Sequence, residues 1–370
     1  MTQQTQIDVI TTHLPQQHGR AADRALLAWA CGARMLGADI HVHSWSPKAP
    51  DEALPDWCTW SPLRQVPHWR LHAHALVAPR TDVRRSGWRP RPGAWAVADD
   101  AVSVAAVAGL PKSVLVAHYA TRLDAWAVRR VRPTHVQDLR LERRCARSVA
   151  VATAYSARVA KAIGATYTVP IALQPPPTAV PVIDQPVAVL PADWSWPPNV
   201  AALLALLADW PAIREQVPGA TLLLAGPNLP ELSLPAGVTA LGRLANLDEL
   251  WASAAVLAFP CPPSSGPKVK VLEAAMAGVP VVTTVAGVEG LDLHGVVVTP
   301  ASIFAATLAG VLGDPARRSD LADRCRASAI AAHAPVVAAT RRLQTWATAA
   351  SDVPSGRPID RAPTAERSAG

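Results

Sequence analysis

Short runs of β-branched and aliphatic residues alternate with longer stretches of helical periodicity along most of this chain, and the alternation starts twice. In the first half, Ile7–Thr12 predicts a strand, His13–Arg20 a loop, Ala21–Leu36 a helix ending at Gly37, and Ala38–His43 the next strand, a βαβ unit. Ser44–Pro92 is rich in Trp, Pro and His and has no regular period, so it reads as connecting segments that shape a pocket. Order returns with a strand over Ala94–Asp100, a helix over Val102–Gly109 and a strand over Ser113–Ala117. Val149–Ala154 and Thr166–Val169 finish this half.

A proline-rich linker from Gln174 to Pro181 precedes the second start. Strands are expected at Val187–Leu190, Thr221–Ala225, Val238–Leu241 and Val256–Phe259, with helices at Val200–Trp210 and Asn246–Ala252. Gly266 and Pro267 then open a helix that runs to Ala277, Gly278 caps it, and Val279–Thr284 is a β-branched run typical of a buried parallel strand. Gly287 and Gly290 bracket Glu289 just past that strand. Pro300 to about Ala350 is helical, with Pro335 in the first turn of the last helix; residues 351–370 are polar, without apolar period, and expected to be disordered. A length of 370 residues exceeds one compact core and predicts two α/β domains.

Composition narrows the setting. The five cysteines, Cys31, Cys58, Cys145, Cys261 and Cys325, are scattered, odd in number and without CxxC spacing, which suits a reducing cytoplasm better than a disulfide scaffold. No basic start followed by an apolar run and no apolar stretch of about 20 residues is present, so no membrane span is expected. The net charge is +7, and Arg122–Arg147 alone holds eight arginines against Asp124, Asp138 and Glu142, a local +5. That patch reads either as a solvated helical face or as a site for lipid-carrier phosphates, an anionic membrane or nucleic acid. With only Trp126 available for stacking, nucleic acid ranks last. The pairs His41/His43 and His72/His74 share strand faces, but neither has a third ligand at a recognisable spacing, so no metal site is assigned.

The candidate chemistry lies at helix starts and strand ends. On the expected Gly266–Ala277 helix, Gly266, Lys270, Glu273 and Ala277 share a face, placing an ammonium one turn from a carboxylate. The free N–H groups of its first turn, the helix dipole, Lys268 and Lys270 make a diphosphate site, and Glu273 is placed to accept from a ribose diol; an ordinary surface Lys and Glu pair is the plain alternative. In the His13–Arg20 loop, Gly19 allows close approach and Arg20 offers a charge to a phosphate, or the loop is merely a turn. Asp99, Asp100 and His118 come from the carboxyl ends of successive strands, the edge where such sheets build their sites. Asn199 either caps its helix or contacts a phosphate, and Arg243 either reaches the diphosphate or is a surface charge.

The segment Ser264–Leu291, SSGPKVKVLEAAMAGVPVVTTVAGVEGL, resembles the donor-binding signature of nucleotide-sugar-dependent glycosyltransferases of the GT-B fold, in particular retaining family 4, and matches it almost position for position from Gly266 to Leu291. Asp193–Asn199, DWSWPPN, resembles the turn that opens the nucleotide-binding domain of these enzymes. The chain departs from many members at Ser265, where they carry Glu. The resemblance implies two Rossmann-like domains facing a central cleft, with a last helix that crosses back: residues 1–178 plus helix 335–350 as the acceptor-binding domain, 179–334 as the nucleotide-sugar domain, and 351–370 as a tail. It implies a UDP- or GDP-sugar donor without a required metal, and a sugar, lipid-linked or natural-product acceptor, with the Arg122–Arg147 patch open to a peripheral membrane contact. Gly19, Arg20, Asn199, Arg243, Gly266, Lys268, Lys270, Glu273 and Glu289 become the donor contacts, and His118, Lys268 and Lys270 the catalytic residues. A nucleotide-sugar 2-epimerase of the same fold and a non-catalytic nucleotide-sugar binder are the alternatives; a dinucleotide-dependent dehydrogenase is disfavoured, since no GxGxxG follows a strand.

Overall fold

The computed structural model describes residues 4–46, 48–63, 83, 87–121, 123–124 and 133–352. The His72/His74 pair, Trp126, Arg122, Arg129, Arg130, Arg132 and the expected disordered tail from 353 onward lie outside the described residues.

The chain forms two compact units, one comprising Met1–Arg122, Val131–Val169 and Ala338–Gly370, the other Leu123–Arg130 and Pro170–Val337. In the first, β1 (Gln6–Thr11), α1 (Ala21–Met35), β2 (Asp39–Ser46), β3 (Cys58–Pro62), β4 (Trp95–Ala98), α2 (Val104–Val107), β5 (Ser113–Ala117), α3 (Pro133–Arg147), β6 (Val151–Ala154), α4 (Ala157–Ile163) and β7 (Tyr167–Thr168) follow in order. Their strands form a parallel sheet in the order β3-β2-β1-β4-β5-β6-β7. Helices on both faces explain the unbroken apolar run of β5, of which every residue is buried. The one carboxylate buried within β1, Asp8, is answered by Arg91, whose Nε donates to Asp8 Oδ1 at 2.8 Å and whose Nη1 donates to Asp39 Oδ2 at 2.5 Å. That pairing holds the amino ends of β1 and β2 together, at the edge of the sheet opposite the carboxyl ends of its strands. The helix expected over Val102–Gly109 shrinks to α2, because Asp100 Oδ1 holds the Ser103 N–H ahead of it and Gly109, at φ +82°, ends it.

The second unit holds β8 (Val187–Pro191), α5 (Pro197–Gln216), β9 (Thr221–Ala225), β10 (Val238–Gly242), α6 (Asp248–Ala252), β11 (Val256–Phe259), α7 (Val269–Ala277), β12 (Val281–Thr283), β13 (Val297–Val298), α8 (Phe304–Leu312) and α9 (Pro315–His333). The sheet is again parallel, in the order β10-β9-β8-β11-β12-β13. The α5 helix is longer than its expected Val200–Trp210: Pro197 fits its first turn, and beyond Trp210 it continues through Pro211 to Gln216. A mid-helix proline costs about 3 kcal/mol. Full burial of Trp210 and Ile213 on either side offsets it, while Pro211 faces solvent. Buried Arg318 donates to the carbonyls of Ile183 and Asp184 at 2.9 and 3.0 Å, tying α9 to the segment before β8.

The last helix, α10 (Pro335–Ser351), begins where Ala334, at ψ +150° before Pro335, breaks the run of α9. From Ala338 onward it packs in the first unit, with Trp346 fully buried against Trp29 and Trp95. The chain therefore returns to its first unit. The linker residues Pro176 and Val180 are pinned in the second unit, where Arg326 donates to Pro176 O and Val180 N–H donates to Ala277 O.

Candidate functional site

In each sheet the strand order reverses beside the first strand, between β1 and β4 and between β8 and β11, and ligands of such sheets bind at the carboxyl ends there. In the second unit those ends carry the Asp193–Asn199 turn and the Cys261–Lys268 loop. Asp193 Oδ1 accepts from Ser195 N–H and Oγ–H at 3.0 and 2.7 Å and from Asn228 Nδ2 at 3.1 Å, which fixes the turn. Asn199 neither caps α5 nor stands free for a phosphate. Its amide Nδ2 donates to Asp193 O at 2.8 Å and its Oδ1 accepts from Lys270 Nζ at 2.8 Å, so the turn after β8 and the helix after β11 meet through one side chain.

The loop before α7 departs from expectation. Gly266, at φ +73°, and Pro267 are not helical; Lys268 is the N-cap in extended backbone and the helix starts at Val269. The left-handed turn at Gly266 redirects the chain so that Lys268, 5 % exposed, folds back and donates to Ser265 O at 3.0 Å and Gly266 O at 2.5 Å. Its ammonium satisfies the loop carbonyls, so Lys268 holds the loop's shape. Lys270 and Glu273 remain one turn apart on α7, and the Lys270 ammonium lies 4.3 Å from the Phe259 ring centroid. Burial pushes the Lys270 amine down to about 7, and the nearby Lys268 adds to this, while Glu273 opposes it. An amine so desolvated gains most from an anion brought beside it.

Gly287 is fixed by packing: a Cβ there would sit 1.9 Å from Thr283 Oγ1, which itself donates to Phe259 O at 2.6 Å. This close contact sets the short 3-10 turn Val285–Val288 on β12 and delivers Glu289 directly after it. Arg243 is exposed just past β10, which lies three strands from β11, roughly 14 Å across the sheet.

In the first unit, His13 follows β1, Asp99 and Asp100 follow β4, His118 follows β5 and Tyr155 follows β6. His118 Nε2 lies 3.2 Å from Asp99 Oδ1, and its ring stacks on His13 at 5.0 Å between centroids and 15° between planes. Tyr155 flanks it at 4.9 Å. Burial alone would raise the Asp99 carboxyl, but the charge and hydrogen bond of His118, with His13 and Arg342, outweigh it and hold Asp99 below its ordinary range. Burial, then the neighbouring His118, pushes His13 down, so the stacked pair does not carry two charges at neutral pH. Burial drives the Tyr155 hydroxyl up to about 12; it stays protonated and accepts from Arg342 Nη2 at 2.9 Å. Arg342, on α10 and fully buried, lies 5.1 Å from the ring centroids of both Trp29 and Tyr155. Thr12, His13, Asp100, His118, Tyr119 and Glu142 line an open recess.

Asp100 is structural. One oxygen accepts from Thr12 N–H and Oγ–H at 2.7 and 2.8 Å, the other from Ser103 N–H. The space at Gly19 is likewise used inside the protein, where a Cβ would fall 2.7 Å from Asp23 Cβ. The Asp23 carboxylate accepts from Leu14 N–H and Arg20 N–H, closing the His13–Arg20 loop at both ends, and the Arg20 residue is exposed. His43 spends its ring nitrogens on Thr59 Oγ1 at 2.8 Å and Ser61 Oγ at 3.4 Å. All five cysteines are free. No described helix is long and apolar enough to cross a membrane.

Sequence reasoning missed His13, Tyr155 and Arg342. The first two stand just past buried strands, the same signal that marked His118. Nothing local marks Arg342, which arrives from a helix nearly two hundred residues later in the chain.

Residues 186–314 match the family described as Glycosyl transferases group 1. No curated protein matches the chain in sequence. Among solved structures, sucrose-phosphate synthase from Thermosynechococcus elongatus superposes with a TM-score of 0.65 at 17% identity, over 93% of this chain and 99% of that one. HepE of Anabaena, solved with UDP and glucose, gives 0.62 at 17% identity over 92% and 99%. WaaG, a glycosyltransferase of lipopolysaccharide biosynthesis, gives 0.62 at 15% identity over 95% and 100%. The two-sheet fold is that of the GT-B class. The family match lies within the second unit, and over its length the chain is similar to the glycosyltransferases of that fold.

Proposed function

We propose that the protein transfers a sugar from a nucleoside diphosphate donor, a UDP- or GDP-sugar, to a sugar, lipid-linked or natural-product acceptor, with retention at the anomeric carbon. The observation that carries the reading is the Lys270 ammonium, desolvated against Phe259, held by Asn199 and one turn from Glu273. A departing diphosphate gives this amine the counter-charge it lacks, and fixed charge aimed at a leaving anion lowers a barrier by several kcal/mol without a metal. Glu273 takes the ribose hydroxyls. Lys268 and Gly266 shape the loop, and Glu289 and the Asn199 turn border the donor. That HepE is solved with UDP and with UDP-glucose favours a uridine donor.

In this reading residues 179–334 grip the nucleotide, and residues 1–178 with helix 335–350 supply His118 to the reacting sugar and receive the acceptor. Arg140, Arg143, Arg144 and Arg147, all exposed on α3, suit a peripheral contact with an anionic membrane at its cytoplasmic face. The test is thermal stability with UDP, GDP, ADP and TDP at millimolar concentration, followed by transfer of labelled sugar from the donor whose nucleotide binds. A rise in Tm with one base is expected; an unchanged curve with all four overturns the assignment, and donor breakdown to free nucleotide without transfer replaces it with the epimerase-type reaction.

A further inference from the structure

Asp124 is the one described carboxylate that reaches the donor loop from a distant part of the sequence. It lies in Leu123–Arg130, which clusters with the second unit although it leaves the chain just after β5. A single oxygen, Oδ1, accepts both the Ser265 N–H at 2.7 Å and the Ser265 hydroxyl at 2.9 Å. Its other oxygen takes no hydrogen bond from the described residues. Burial pushes this carboxyl up, the two Ser265 bonds and the charge of Lys268 pull against that, and the neighbouring Glu289 raises it further. Two carboxylates, Asp124 and Glu289, thus stand close enough to feel each other beside a loop whose Lys268 is committed to its own carbonyls.

An acceptor-only oxygen beside a second negative charge is a poor neighbour for phosphate and a strong partner for hydroxyl groups. The diphosphate belongs with Lys270, where the anion relieves a buried amine; what lies against Asp124 must donate hydrogen bonds and carry no negative charge. Accepting the donor-site reading above, we infer that Asp124 is a sugar-binding residue: its free oxygen accepts from hydroxyls of the donor hexose, and with Glu289 it selects neutral hexosyl donors against uronates. Ser265 positions it, so this selectivity is written by a residue that lies far from the donor motif in the sequence.

The experiment compares, on the full chain, the nucleoside diphosphate that binds with its neutral hexose conjugate and its glucuronate conjugate, by calorimetry on wild type, Asp124→Asn and Asp124→Ala. The isosteric Asn retains an oxygen for Ser265 and guards against a collapsed loop. In both variants the nucleoside diphosphate should bind within about twofold of wild type, while the hexose conjugate loses about tenfold or more, the scale of a hydrogen bond to a charged group. The ratio of hexose to glucuronate affinity should fall in step. Unchanged conjugate affinities in Asp124→Asn overturn the inference and leave the donor site standing, as does equal loss of nucleotide and conjugate, which marks Asp124 as a structural staple. A wild-type chain that binds none of the nucleotides removes the donor site and this inference together.

Discussion

Lys270 donates from Nζ to Asn199 Oδ1 at 2.8 Å, joining the helix after β11 to the turn after β8 across the point where the strand order of the second sheet reverses. Neither residue has another obvious reason to be polar in so apolar a setting. Asn199 is 6 % exposed, and its remaining amide bond goes to the turn itself. The pair therefore places one amine, charged below about pH 7, at the sheet edge where a ligand is expected and holds it there before the ligand arrives.

A titration signature follows. With the folded amine at about 7 against an ordinary 10.5, the unfolded chain binds more protons between those values, so this group costs stability below pH 7 and the cost is relieved as pH rises toward 10.5. Nucleoside diphosphate favours the charged form, so binding above pH 7 takes up a proton and its affinity falls by up to about tenfold per pH unit. Calorimetry at pH 8 in two buffers of different ionisation enthalpy should show the uptake in wild type and none in Lys270→Met. Equal proton uptake in the variant assigns the titration elsewhere.

The two lysines of the loop should separate. Lys268→Met leaves the carbonyls of Ser265 and Gly266 without their donor inside the protein, a loss of about 1 to 3 kcal/mol of folding stability. Lys270→Ala should weaken nucleotide binding more than Lys268→Met does while costing less stability. Denaturant melts beside nucleotide titrations on both variants decide it; the opposite ranking makes Lys268 the diphosphate ligand.

Glu273→Gln keeps the shape of the side chain and removes the charge that strengthens hydrogen bonds to a diol. Nucleotide affinity should drop by about 1.5 to 3 kcal/mol with little change in Tm. Binding as tight as wild type would make the carboxylate structural.

How far the sequence led is clear from these positions. The alternation of strands and helices was legible where parallel strands are buried on two faces and read as short, largely apolar runs; β5 and β11, buried throughout, coincide with their expected spans. Lys270 and Glu273 were legible because helical spacing fixes their common face. The direction of the Lys268 side chain was not, since it follows from the left-handed backbone at Gly266, and Gly tolerates either hand of φ. The uses of Gly19, Asp100 and Asn199 were hidden for another reason: each is decided by a partner that tertiary folding supplies, Asp23, Thr12 with Ser103, and Lys270 with Asp193.

The last prediction concerns the pair Asp99 and His118. Asp99 is 1 % exposed, its Oδ1 lies 3.2 Å from His118 Nε2, and the charge of His118 is the main influence that holds the carboxyl low against burial, so the carboxylate orients the imidazole. Because the folded carboxyl lies below 3.8, it contributes stability above that pH, lost as pH falls through its folded value. Asp99→Asn removes the charge with little change of shape and should misdirect the ring, whereas His118→Ala removes the ring itself. With labelled donor and the true acceptor, His118→Ala should lower turnover by about 10²-fold or more, and Asp99→Asn should fall between it and wild type. Nucleoside diphosphate binding should persist in both, since Lys270 and Glu273 lie in the other unit. Turnover of His118→Ala within about threefold of wild type takes the imidazole out of the reaction and leaves the stacked His13 as the group to replace next.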